Sequence, residues 1–311
     1  MQQITNNILM IRPVSFRMNE ETVVNNFYQS DLQNLSAEEI QKKALAEFDA
    51  FVQKLTEAGI NVIVVDDTKT PDTPDSIFPN NWISFHENGT VALYPMFAEN
   101  RRLERREEIL DIIEESGFDI KNIVDYTSAE KENIFLEGTG SLLLDRVNRK
   151  AYCALSARAN ENLLIEFCED FEYTPVMFHA LQTVEDRREL IYHTNVMMAL
   201  TENYAFICLD AIDNKKERKR IIKHLLEDGR EIIKITEEQV YNFAGNMIQV
   251  VGKDDIRYTI MSEAAFTCLT KDQVIKIEKY STIIYSNLET IETCGGGSAR
   301  CMMAEVFLNL S

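Results

Sequence analysis

Trp82–Tyr94 reads WISFHENGTVALY: two short apolar and β-branched runs flank Asn88-Gly89, a dipeptide that favours a tight hairpin turn. A charged helical stretch from about Arg101 to Ser116 follows, and then a further apolar pair, Ile123-Val124. The same order recurs downstream. Leu142–Leu144 and Lys150–Ala154 precede a helix that Asn160 can cap, with Leu163, Leu164, Phe167 and Cys168 on its apolar face. Val196–Leu200, Tyr204–Leu209, a helix to about Glu227 and Ile232-Ile233 form another copy, and Met247–Val251, Ile256–Ile260, a helix to about Lys279 and Ile283–Tyr285 a further one. Upstream, Ser36-x-x-Glu39 is a capping box, and the helix it opens carries Ile40, Ala44, Phe48, Phe51 and Leu55 on one face. Gly59 ends that helix and the strand Val62–Val65 follows; with an N-terminal strand Ile8–Ile11 this makes five roughly equivalent units. The repeat predicts an α/β fold, a five-bladed α/β propeller of ββαβ-like units around a central channel, with sites where loops converge. No Pro/Gly/Ser-rich linker divides the chain, so residues 1–311 are expected to form one domain.

Composition narrows the function. A formal charge of −19 disfavours nucleic-acid backbones and anionic membranes, which are held through clustered Lys and Arg. The basic run Lys215–Arg220 reads as a solvated helix face. The first residues, MQQITNN, lack a basic segment leading into an apolar one, and no run of about 18 apolar residues occurs, so neither export nor membrane insertion is expected. Six cysteines lie without CxxC spacing, mostly in apolar runs, the pattern of reduced thiols in a cytoplasm rather than of a disulfide framework or a zinc site.

Cys294 differs in its surroundings. It stands in ETCGGGSARCM, followed by three glycines that let the backbone approach a ligand, and Ala299–Leu310 reads as a helix whose N-terminus would lower a nearby thiol's pKa. With only four histidines in the chain, the arrangement invites a Cys–His nucleophile pair. His86 and His179 sit in apolar, strand-like contexts and read as structural, and His224 as a helix-surface residue.

At this point the residues resemble a known group, the guanidino-group-modifying or pentein superfamily of arginine deiminases, dimethylarginine dimethylaminohydrolases and amidinotransferases. PDSIFPNNW (Pro74–Trp82), LEGTGSLL (Leu136–Leu143), LSARAN (Leu155–Asn160), YHTN (Tyr192–Asn195) and TCGGGSARCM (Thr293–Met302) are similar to its signature segments, in the same order. Closest in pattern are bacterial citrulline-utilisation hydrolases and dimethylarginine dimethylaminohydrolases. The resemblance implies a five-bladed propeller and a hydrolase needing neither cofactor nor metal. In it Cys294 is the nucleophile, His193 the general acid/base and Glu137 the carboxylate at the reacting centre. Asp75 would receive the substrate's α-amino group, Arg158 its α-carboxylate, and Arg101 or Arg102 a second carboxylate contact. Arg12–Gln29 falls where relatives carry a lid. The implied partner is a small amino acid, with no nucleic acid or membrane, and the resemblance allows a homodimer.

The departures concern charge. Relatives that bind a guanidinium carry carboxylates where this chain has Asn80, Asn81 and Asn195. An amide keeps the shape, loses the charge and gains an N–H donor suited to a carbonyl oxygen. The leading expectation is therefore hydrolysis of citrulline to ornithine, carbon dioxide and ammonia through an S-carbamoyl cysteine. Arginine deiminase or dimethylarginine hydrolase activity is the alternative within enzymes. A non-catalytic ribosome anti-association pentein is the alternative outside them, opposed by the acidic charge and by the presence of Cys294, His193 and Glu137 together.

Overall fold

The computed structural model describes residues 2–310. It is a mixed α/β fold containing five three-stranded sheets and one separate two-stranded hairpin. The helix Ala37–Glu57 opens with the capping box, Ser36 accepting from the Glu39 N–H, and buries Ile40, Ala44, Phe48, Phe51 and Leu55 as the spacing predicts. Its carbonyl end turns at Gly59, where φ is +78° and a Cβ would stand 2.5 Å from that of Lys253. The chain then enters Asn61–Asp66, which lies parallel to Asn7–Arg12.

The next four sheets share one pattern. A middle strand runs antiparallel to a short strand before it and parallel to one that returns after a helix. The middle strands are Thr90–Leu93, Lys150–Ala154, Tyr204–Ile207 and Arg257–Ser262. In the first sheet the middle strand is Asn7–Arg12, and its antiparallel neighbour comes from the other end of the chain: Ala304–Glu305 pairs with Ile8 and Leu9. Hydrogen bonds also join separate units, with Val251 N–H donating to Thr5 O at 3.2 Å and Gln3 Nε2 to Leu144 O at 2.9 Å.

Three features differ from the sequence reading. Ala299–Leu310 is not a continuous helix: the backbone closes a short turn of its own over Ser298–Met303, and the rest, almost entirely buried as far as Leu308, bonds to the first strand. Helix-favouring composition is overridden there by sheet pairing. The stretch Arg101–Ser116 is broken into the helices Glu99–Arg102 and Glu108–Glu115. Between them Glu104 is drawn inward to Arg101, and Arg105 reaches the Tyr94 carbonyl and Glu130. A hairpin of Leu181–Val184 with Arg187–Leu190 was not anticipated. Of the histidines read as structural, His86 is buried against Phe171 and bonded to Ser84, whereas His179 lies on the surface beside Glu217. No helix among the described residues is long and apolar enough to cross a membrane.

Phe51 is fully buried beneath this frame and Ser36 caps its first helix. Phe51→Ala is expected to cost about 3–5 kcal/mol and Ser36→Ala about 1 kcal/mol, read from denaturant midpoints at unchanged m-value.

Candidate active site

In every sheet the few residues just before the first short strand turn inward and are buried. Pro79–Asn81 precedes Ile83–Phe85, and Glu137 with Gly138–Ser141 precedes Leu142–Asp145. His193 and Thr194–Met197 precede Met198–Leu200, and Asn246 precedes Ile248–Val251. In the fifth case the segment before Ala304–Glu305 contains Cys301. One segment of the repeat, the few residues before the first short strand, thus supplies Asn80 and Asn81, Glu137, His193 and Asn195, Asn246, and Cys301.

His193 Nε2 stands 2.7 Å from Glu137 Oε2, so this nitrogen carries the proton and donates, an ionised carboxylate being only an acceptor. The other carboxylate oxygen accepts from the Phe97 N–H at 2.9 Å. Burial works to raise Glu137, but the Arg158 guanidinium, 3.5 Å away, and the His193 bond outweigh it and hold the carboxyl at about 2. Burial, with Arg158 and Arg101 nearby, lowers His193 to about 4 against the pull of Glu137. The resting pair is therefore carboxylate and neutral imidazole. Close packing fixes it: a Cβ on Gly140 would lie 2.7 Å from His193 Nδ1 and 2.5 Å from Asn81 Nδ2.

The expectation that Cys294 shares a site with His193 is not met by this geometry. Cys294 sits in the last turn of the helix Glu289–Gly295, not in a loop. It belongs to the buried apolar cluster that includes Ile291, Phe16, Phe48 and Phe78, and does not line the cavity that His193 lines. Burial raises its thiol, and its place at a helix's carbonyl end works in the same direction, the reverse of the expected N-terminal effect. Cys301 lines that cavity instead, together with His193, Arg158, Arg101, Asp75 and Tyr192. Its Sγ receives Asn246 Nδ2 at 3.1 Å and Asn195 Nδ2 at 3.4 Å. The glycines serve Cys301: Gly295 and Gly297 let the chain pass flat against Phe78, where a Cβ would meet its ring at 2.7 and 2.9 Å.

Asp75, Arg101 and Arg158 are brought together around the same cavity. Arg101, and not Arg102, points inward; Arg102 bonds the Met96 and Phe97 carbonyls. Arg101 Nη1 donates to Asn81 Oδ1 at 2.7 Å and its Nε to Glu104 at 2.9 Å; burial raises Glu104 to about 7 in spite of that bond. Burial also raises Asp75, against Arg101.

The segment Asn19–Gln29 covers the cavity. Asn19 and Thr22 donate to Asp75, Arg158 donates to Asn25 Oδ1 and the Thr22 carbonyl, and Gln29 Nε2 donates to the Cys294 carbonyl. What remains is a cavity of about 10 Å³.

Arginine has only donors, and this settles the orientation of the neighbouring amides. Asn81 must offer Oδ1 to Arg101, so its Nδ2 faces Asn80 Oδ1 at 2.9 Å. Both ends of Asn81 are then engaged by the protein, which weakens its expected contact with substrate. Asn80 Nδ2 is left as a buried donor without a partner, Asn195 Oδ1 and Asp75 Oδ1 as buried acceptors without one. No group of three or more His, Cys, Asp or Glu among the described residues could hold a metal ion.

Fold and site define a class, the pentein superfamily of guanidino-modifying enzymes. The chain belongs to the eukaryotic N,N-dimethylarginine dimethylhydrolase family, whose model matches residues 12–308, and so to the hydrolases acting on carbon–nitrogen bonds other than peptide bonds. No curated protein matches it. The N-terminal domain of ArgZ, an arginine dihydrolase of the ornithine–ammonia cycle in cyanobacteria, was solved with substrate as a cysteine-to-serine mutant. It is 21% identical, with a TM-score of 0.72 over 97% of this chain and 99% of that one. AgrE, as a cysteine-to-alanine mutant with L-arginine, is 19% identical, with a TM-score of 0.73 over 96% of this chain and 40% of its own. A dimethylarginine dimethylaminohydrolase histidine-to-glycine mutant, solved as an adduct with S-methyl-L-thiocitrulline, is 16% identical, with a TM-score of 0.62 over 97% and 99%. The chain spans about two fifths of full-length ArgZ, 41%.

The buried His193 sets an acid limit on stability. A histidine lowered from 6.5 to about 4 contributes stability that is present above 6.5 and lost as pH falls toward 4, since only the unfolded chain takes up the proton there. The loss amounts to about 3 kcal/mol at most. Glu137 adds a second loss as pH falls from 4.5 toward 2. Glu104, raised to about 7, and Glu292, likewise raised, run in the opposite sense between 4.5 and 7. The comparison is therefore between proteins: His193→Gln is expected to lose less stability than the native chain between pH 6.5 and 4, measured by denaturant unfolding across that range.

Proposed function

We propose that this protein hydrolyses a carbon–nitrogen bond at the terminal carbon of an arginine-type amino acid, through a covalent adduct on Cys301. The observation that carries this is the buried Cys301 sulfur, held by two amide donors at a cavity that His193, bonded behind to Glu137, also lines. A guanidino or ureido carbon is deactivated by resonance, and a thiolate is the strongest nucleophile side chains offer near neutrality. In this reading neutral His193 takes the Cys301 proton, Sγ attacks the planar carbon, and the imidazolium returns the proton to the leaving nitrogen. Water, deprotonated by the same imidazole, then cleaves the adduct. Glu137 holds the ring and stabilises its charged form. Asp75 and Arg158, of opposite charge, are suited to the α-amino and α-carboxylate groups. We read the five sheets as the blades of a five-bladed α/β propeller, and the chain as one catalytic domain, supported by the shared strand pattern and by the first sheet's use of both chain ends.

Among such substrates the ureido amino acid citrulline is favoured by Asn80. Its free N–H, fixed in direction by Arg101, needs an acceptor, which a ureido oxygen provides and a guanidinium lacks. A guanidino substrate is the second reading, favoured by family membership and by the Arg158 guanidinium that already rests against Glu137.

Incubation with citrulline, arginine and dimethylarginine in parallel, scoring ornithine, citrulline and ammonia, decides the substrate. Cys301→Ser is expected to lose activity by about a thousandfold or more, and Cys294→Ser to stay within a few-fold of the native rate. The opposite pattern would restore Cys294. Asn80→Asp replaces the free donor by an acceptor and should shift the citrulline-to-arginine ratio of kcat/KM toward arginine by about tenfold to a thousandfold. An unchanged ratio would remove Asn80 from specificity.

A further inference from the structure

We propose that Asn246 is a second-tier component of the nucleophile, which both aligns Cys301 with the His193 segment and donates the hydrogen bond that favours its ionised sulfur. The inference rests on Cys301 as nucleophile. Asn246 is fully buried, and all of its amide contacts converge on two segments. Its Oδ1 accepts from the Arg300 N–H at 3.0 Å and the Cys301 N–H at 3.4 Å, and its Nδ2 donates to Cys301 Sγ at 3.1 Å and to the Asn195 carbonyl at 3.1 Å. Backbone N–H groups only donate, so the oxygen must face Arg300 and Cys301, and the NH2 end must face the sulfur. A thiolate accepts such a bond more strongly than a thiol does.

The neighbouring residue supports this placement. A Cβ on Gly245 would lie 2.2 Å from the Val196 carbonyl, so the Gly245-Asn246 backbone rests directly on the turn that follows His193. One side chain therefore ties together the segments bearing the sulfur and the imidazole, while Asn195 adds a longer bond of 3.4 Å to the same sulfur. The charged and titratable groups around Cys301 are His193, Tyr192, Asp75, Arg101 and Arg158 from the facing segments. Arg300, next in the chain, is turned to the Met303 carbonyl and to Glu305. Asn246 is uncharged, so its effect is separable from theirs.

Asn246→Asp keeps an oxygen for the two backbone N–H groups and sets a negative acceptor against the sulfur. The full chain and this variant would be treated with iodoacetamide from pH 6 to 10, following labelling of the Cys301 peptide by mass and loss of turnover together. The expected result is labelling of Cys301 slowed by about tenfold or more at pH 7 and regained at higher pH, with kcat shifted along the pH axis in parallel. Asn246→Ser, which accepts from the backbone but is too short to reach the sulfur, should show a smaller shift in the same direction, and decides the matter if the aspartate variant does not fold. A folded variant whose rate–pH profile matches the native one within twofold would overturn the role of Asn246. Labelling of Cys301 without loss of turnover would instead overturn the nucleophile reading, and this inference with it.

Discussion

The pairing of Ala304–Glu305 with Ile8 and Leu9 is a contact of two residues on each side, yet the site depends on it. The last stretch of chain carries Cys301. After a turn over Ser298–Met303 it is held to the first strand, with Val306 N–H donating to the Asn7 carbonyl and Thr5 Oγ1 to the Val306 carbonyl. Cys301 then falls in the same pre-strand segment of its unit as Asn80, Glu137, His193 and Asn246 in theirs, each within five residues of the first short strand.

That equivalence explains what could be read from the sequence and what could not. Strands and helices announce themselves by periodicity and caps, and Ser36, Asn160 and the hairpin at Asn88-Gly89 all fall where such signals put them. His193, Glu137, Asp75, Arg101 and Arg158 were within reach because their segments resemble a family pattern. Cys294 misled because three following glycines look like a cradle for the residue before them, when they clear the path to the residue after. The repeat itself held the better signal: counting back from each first strand finds Cys301 and Asn246 along with the rest. The fifth first strand is two residues long and was hidden in a helix-like composition, so that count could not be made.

Charge burial shapes the remainder of the site. Asp75, Arg101, Glu104, Glu137 and Arg158 are all shielded from water, and an isolated charge there would be costly enough to neutralise itself. They persist by mutual pairing and by neutral amides that fill the gaps. Asn81 shows how far this goes, since its expected service to a substrate is pre-empted by Arg101. Of the amides with an end to spare, Asn80 is set by Arg101 through Asn81, and Asn195 by its bond to the Cys301 sulfur.

The closed cover over the cavity has a kinetic meaning. About 10 Å³ is room for roughly one water and none for an amino acid, so in the proposed reading a substrate reaches Cys301 only after the Asn19–Gln29 segment releases Asp75 and Arg158. Those are the two groups suited to the ligand's own ammonium and carboxylate, and the segment's amides occupy them in its absence. In that reading the segment is an internal competitor at fixed effective concentration. Measured affinity is the intrinsic affinity diminished by the fraction of molecules standing open, and a looser cover would bind more tightly while excluding water less well.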